Sequence, residues 1–122
     1  MTLSLAALTF LLGGLGAVTR YGVLALCAHA VGPFPAGIVA VNTLAAFVGS
    51  ALGAAASPEN ILIGVGAGFV GGLGTLSSLC SEVISLAERR KGWQIFFFIV
   101  LTLVTGIAAT LLGLAVGKAF HA

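Results

Sequence analysis

The sequence predicts an all-α membrane protein with four transmembrane helices, the third of them broken in mid-membrane. Three observations predict it. The 122 residues are 60% hydrophobic and 7% charged, with a mean hydropathy of +1.24, far more apolar surface than a small water-soluble domain can hide. The apolar residues fall into four blocks, each reaching the roughly 20 residues that a helix needs to cross the hydrocarbon. The third block carries Gly71, Gly72, Gly74, Thr75, Ser77 and Ser78 at its centre. Hydrocarbon offers no water to freed backbone groups, so a helix interrupted there persists only where protein or a polar cavity supplies partners. In transport proteins such breaks form ion sites from unwound carbonyls and half-helix ends.

The chain reads as a single domain, 1–122. The first helix covers about residues 2–30. It lacks a basic start and runs past position 20 with Arg20 in its middle, so it reads as a mature helix rather than a signal peptide. Val31-Gly32-Pro33-Phe34-Pro35 ends it, and a second helix follows over about 34–56. Ser57-Pro58-Glu59-Asn60 leads into the third helix, 59–90, with its break near 71–78. Glu88-Arg89-Arg90-Lys91-Gly92 leads into the fourth, 93–120. Each connector is polar or carries a helix-stopping Pro or Gly. Small residues recur at helical spacing: Gly13, Gly16 or Ala17, and Arg20 on the first helix, then Asn42, Ala46, Gly49 and Gly53 on the second. Thr102, Gly106, Ala109, Gly113 and Gly117 form the same pattern on the fourth. Such stripes let backbones approach closely in lipid, and three on so small a bundle point to an oligomer.

Charge excludes several function classes. Five cations stand against three acids, for a net charge of +2, and the basic run 89–91 is the longest, which argues against a nucleic-acid partner. Cys27 and Cys80 lack metal-ligand spacing and read as small buried hydrophobes. With four spans, Lys118 falls on one side of the membrane and Arg89, Arg90 and Lys91 on the other. That slight bias puts the 89–91 loop in the cytoplasm and is compatible with insertion in both orientations.

The polar residues inside the blocks are the functional candidates. Arg20 would cost about 2.5 to 3.5 kcal/mol at the bilayer centre, so it either bonds helix-end carbonyls or Glu82, or draws an anion into a vestibule. Asn42 needs partners in mid-helix and offers NH₂ donors to an anion. Thr75, Ser77, Ser78, Thr102 and Thr105 each can bond their own backbone one turn back or together line a polar track. Glu82, four residues after Ser78 and on its face, pairs with Arg20 or handles protons or a cation. His29 and His121 fall at helix ends. The serines have no nearby histidine base and no acid-histidine pair is in sight, so the chain does not read as an enzyme.

These same residues carry a resemblance. Gly13-Gly-Leu-Gly-Ala-Val-Thr-Arg20-Tyr21 resembles the first-helix GG-x-G-A-x-x-R-[YW] signature of the Fluc (CrcB) family of fluoride channels. Val39-Ala-Val-Asn42-Thr-Leu resembles that family's T-x-x-N-x-x-G region, and the run from Gly68 to Glu82 resembles its GFLGG-x-TTFSTFS-x-E core. Order, spacing and length agree along essentially the whole chain. The resemblance implies an antiparallel, dual-topology dimer in the inner (plasma) membrane, a multi-pass protein exporting fluoride passively through two pores. It implies a structural sodium ion at the dimer centre, held by the backbone carbonyls of Gly71 and Gly74. Asn42, Ser77, Ser78 and Thr102 match pore or polar-track positions, and Arg20 stands in the first-helix motif. Leu76 and Leu79 stand where the family has two phenylalanines whose positive ring edges line the fluoride path, a property leucine lacks. Gly74 replaces the first threonine of a pair, and Gly106 a fourth-helix hydroxyl. Phe47, Phe69 and Phe96, Phe97 and Phe98 are the aromatics available to compensate.

Three functions follow. The first is a fluoride channel working as a homodimer in membrane lipid. The second is one subunit of a heteromeric channel whose partner supplies the aromatic residues. The third is a proton-coupled exporter of the small multidrug resistance type, disfavoured because that class needs an acid in its first helix, where this chain has Arg20.

Overall fold

Long runs of Leu, Ala, Val and Phe without interior proline favour helix, and in lipid helix is the local structure that satisfies its own backbone. The computed structural model describes residues 3–31, 34–55 and 61–121. Among these residues are five helices: α1 (Leu3–Val31), α2 (Ala36–Ala55), α3 (Ile61–Leu73), α4 (Leu76–Glu88) and α5 (Gly92–His121). They make four stretches long and apolar enough to cross a membrane, Leu3–Ala28, Ala36–Ala55, Gly66–Glu88 and Gly92–Phe120, the third being α3 and α4 in succession. No strand occurs among the described residues. The Ser57–Asn60 connector and the side chains of His29 and His121 lie outside the described residues.

The interruption is narrower than the expected 71–78. Only Gly74 and Thr75 are non-helical, Gly71 and Gly72 belong to the last turn of α3, and Ser77 and Ser78 to the first turn of α4. The reason is local. Thr75 is extended (φ −151°, ψ 114°), and its side-chain oxygen accepts the Ser78 N–H at 3.1 Å, the geometry of a helix N-cap. The new helix therefore starts within two residues of the old one. At its far end α4 closes through Lys91 N–H to Leu86 O at 3.0 Å and Arg90 N–H to Ala87 O at 3.1 Å, a Schellman ending. Arg90 takes the left-handed position, with φ 55°.

Packing pairs α1 with α3 and α2 with α5, while α4 lies more loosely against α5. Both tight pairs depend on missing side chains: a Cβ on Gly72 would strike the Gly13 carbonyl, and one on Gly113 the Phe47 carbonyl. The glycine stripes are thus largely consumed inside one protomer, and the case they made for an oligomer keeps its force at Gly53 and Gly106, where added Cβ atoms would meet nothing within 4 Å. The core is small. Val41, Ala45 and Leu73 form its centre, ringed by Val23, Phe69 and Val70. Phe98 is fully buried with its ring edge-on to Phe34, centroids 6.4 Å apart. Phe10, Leu11, Leu15 and Val18 on α1, and Leu103, Val104, Ile107 and Leu111 on α5, face outward, as helix surfaces in lipid or against another chain do. Cys80 is exposed on α4 and Cys27 half-buried, so neither is the buried hydrophobe expected, because the loosely packed α4 and the outer part of α1 leave them uncovered.

Candidate ion site at the helix break

The break is held from α2. Asn42 Oδ1 accepts the Thr75 N–H at 2.7 Å, and Asn42 Nδ2 donates to the Thr75 carbonyl at 3.1 Å. One amide side chain thereby satisfies both backbone groups of a residue that has left the helix, which hydrocarbon would otherwise penalise by several kcal/mol. Asn42 Nδ2 carries a second hydrogen beyond the one given to Thr75. Gly74 is held on its own chain by N–H donation to Val70 O at 3.0 Å. Its carbonyl accepts Arg20 Nη1 at 3.4 Å. Arg20 is half-buried and reaches the break, one of the two structural roles open to it.

The other, pairing with Glu82, does not occur. Glu82 binds Arg89 Nη2 at 3.2 Å instead, because Arg89 lies two turns further along the same helix and reaches back, while Arg20 is engaged at Gly74. Glu82 also borders a separate small cavity of about 190 Å³ with Cys27, Phe34 and Pro35.

Beside the break opens a cavity of about 360 Å³ whose wall contains Asn42, Thr75, Leu76, Leu79, Ile99, Thr102, Leu103 and Gly106. A second groove of about 370 Å³ shares Thr102, Leu103 and Gly106 and continues to Thr110. Five of the sequence-derived candidates therefore converge on one space: Asn42, Thr75, Leu76, Leu79 and Thr102. Ser77 and Ser78 are not among its lining residues. Ser77 Oγ sits 3.3 Å from Thr75 Oγ1, and Ser78 supplies the cap N–H. Phe47, Phe69 and Phe96 to Phe98 do not line the cavity either. Phe98 is turned to Phe34, and Phe96 stacks near Trp93 with centroids 5.9 Å apart, so none replaces the missing rings.

Electrostatically the break joins opposite helix ends. The carbonyl end of α3 carries partial negative charge and the N–H end of α4 partial positive charge. Gly71, exposed and open on its Cα side, lies in the last turn of α3. The hydroxyls of the track are bonded to backbone one turn back: Thr102 to Phe98 O at 2.8 Å and Thr110 to Gly106 O at 2.8 Å. Thr105 does likewise to Leu101 O at 2.7 Å and accepts Thr43 Oγ1 at 2.9 Å, which ties α2 to α5. Sequence reasoning missed Thr43, and it placed Thr75 among the hydroxyls without seeing that Thr75 is the residue Asn42 grips. The signal for Thr75 was its position three residues before Ser78 at a helix start; for Thr43 no signal existed.

The family described as "CrcB-like protein, Camphor Resistance (CrcB)" matches residues 7–114. The protein named fluoride-specific ion channel FluC 1 of Rubrobacter xylanophilus is 37% identical over 91% of this chain and 91% of its own length. The one named fluoride-specific ion channel FluC of Pyrococcus horikoshii is 35% identical over 97% of this chain and 99% of its own. That of Methanopyrus kandleri is 38% identical over 84% and 81%. No solved structure gives a significant match. Four apolar spans, a break pinned by an intramembrane asparagine and this agreement along nearly the whole chain make it a member of the CrcB family.

Proposed function

We propose that this chain is a fluoride-selective channel, a multi-pass membrane protein that lets fluoride leave the cell passively, and that it works as an antiparallel, dual-topology homodimer. The observation that carries the reading is the cavity at the break, with Asn42 on its wall, in a chain whose relatives are named fluoride-specific ion channels. Fluoride is small and tightly hydrated, so a pathway must replace its water with donors. Asn42 has an N–H beyond the one bonded to Thr75, and the α4 N-terminus adds positive potential at the same place. Leu76, Leu79, Ile99 and Leu103 make the remaining wall apolar, which strengthens the few polar contacts. Arg20, half-buried at the break, keeps a positive charge near the pathway. An exporter of the small multidrug resistance type is not favoured, since α1 holds no acid and the family is a different one.

A structural sodium ion fits the residues present. A hard cation prefers oxygen ligands. Gly71 has open space on its Cα side, within reach of a second chain, and the Gly74 carbonyl has a second lone pair beside the one that takes Arg20. In an antiparallel pair the Gly71 and Gly74 carbonyls of both protomers would hold it, and its charge would join the two breaks.

Purified protein in liposomes tests the function. Efflux of fluoride should far outpace chloride under equal gradients, with this chain alone in the membrane. No fluoride efflux from liposomes containing the assembled protein would overturn the reading and return a heteromeric partner to consideration.

A further inference from the structure

In a continuous α-helix each N–H bonds the carbonyl four residues earlier, so Thr75 N–H would occupy Gly71 O and Ser78 N–H would occupy Gly74 O. Neither bond is made. Thr75 N–H goes to Asn42 Oδ1 at 2.7 Å, and Ser78 N–H goes to Thr75 Oγ1 at 3.1 Å. The two diverted donors are the two that would cover the two carbonyls assigned to sodium. We propose that Asn42 and Thr75 are positioning residues for the cation site: their side-chain oxygens capture the N–H groups that would close the helix over Gly71 and Gly74, and so keep both carbonyls clear of backbone donors, with Gly74 O bonded to Arg20 through one lone pair. This rests on the sodium reading given above.

The arrangement links the cation site to the cavity wall through one side chain. Asn42 Oδ1 takes the N–H that would cover the Gly71 carbonyl, its NH₂ group grips the Thr75 carbonyl, and the residue stands on the cavity wall. Thr75 is 8% exposed, so water does not offer its amide a competing acceptor. Its extended backbone suits a β-branched residue, which lets the hydroxyl be removed by valine without changing shape.

The test is the sodium dependence of thermal stability of the detergent-solubilised protein, titrating sodium chloride against N-methylglucamine chloride and checking assembly by size-exclusion chromatography. Wild type should be stabilised by sodium. Thr75→Val should shift the sodium midpoint upward by about tenfold, the effect of losing one well-made hydrogen bond, and Asn42→Ala, which loses two, by at least as much. Thr75→Ser should restore the wild-type midpoint. Asn42→Asp, which keeps an oxygen for the Thr75 N–H, should also hold it near wild type even where fluoride efflux is lost. A general loss of packing would lower stability equally with and without sodium and would leave the midpoint unmoved. If Asn42→Ala does not assemble, the Thr75→Val and Thr75→Ser pair carries the same decision. A wild type that responds to sodium beside alanine and valine variants with the same midpoint would overturn this proposal alone. A wild type indifferent to sodium would overturn the cation site and the proposal with it.

Discussion

Asn42 is the residue on which most depends, and its amide makes a specific mutational expectation possible. Asn42→Asp keeps an acceptor for the Thr75 N–H at 2.7 Å but loses both donors and adds a negative charge on the cavity wall. Fluoride efflux should fall by about tenfold or more, measured in liposomes with an electrode, while the variant elutes from size-exclusion chromatography as the wild type does. Leu76 and Leu79 invite the opposite change. Leu76 is 74% exposed and Leu79 half-buried, so rings at these positions have room, and Leu76→Phe with Leu79→Phe should raise the fluoride rate by restoring positive ring edges beside the cavity. An assembled double variant no faster than wild type would show that the leucines do not limit the rate. Asn42 and the break glycines were legible in sequence because an amide and a glycine cluster are costly in hydrocarbon and need a reason. The pairings were not. That Arg89 claims Glu82, that Arg20 takes Gly74 O, and that Thr43 meets Thr105 are outcomes of how helices rotate against one another, which one sequence does not encode locally.

Among the elements, hydropathy and proline placement were sufficient for the four spans, since bilayer thickness fixes length and punctuation fixes ends. The width of the break was overread. Glycine, serine and threonine together resemble a long loop, yet a single capping threonine restarts the helix at Leu76. The close of α4 gives a clean test of such local chemistry. Arg90 holds φ 55° in the Schellman turn, a conformation that costs a residue with a Cβ about 1 kcal/mol and glycine almost nothing. Arg90→Gly should therefore stabilise the folded protein by about 0.5 to 1 kcal/mol, read as a higher melting temperature in detergent. A fall would mean that the Arg90 side chain makes contacts outweighing its strained backbone.

For the molecule as a whole, the core is thin and the apolar faces of α1 and α5 are broad, as helices that cross a membrane present to lipid or to another chain. The weak cation asymmetry, Lys118 against Arg89, Arg90 and Lys91, sets little preference for either insertion. Lys91→Cys, in a chain whose Cys27 and Cys80 are replaced by alanine, should label with a membrane-impermeant maleimide in roughly half of its copies in intact cells and in the rest only after permeabilisation, if orientation is unbiased. Labelling from one face only would exclude the antiparallel homodimer.

The grip of Asn42 on Thr75 also bears on how the chain is made. The acceptor precedes the donor by 33 residues, and Arg20 precedes Gly74 by 54. As a ribosome feeds the protein into the bilayer, α1 and α2 are already inserted when the interrupted span emerges, so its loosened peptide groups meet waiting partners instead of bare lipid. Thr105, which completes the contact between α2 and α5, arrives afterwards and is needed only then. On that order of synthesis, the break would be spared exposure to bare lipid. A circular permutant that begins with residues 59–122 and ends with 1–58 should reach the membrane in lower yield than the natural order, although its finished contacts would be the same; equal yields would show that the break tolerates waiting for Asn42.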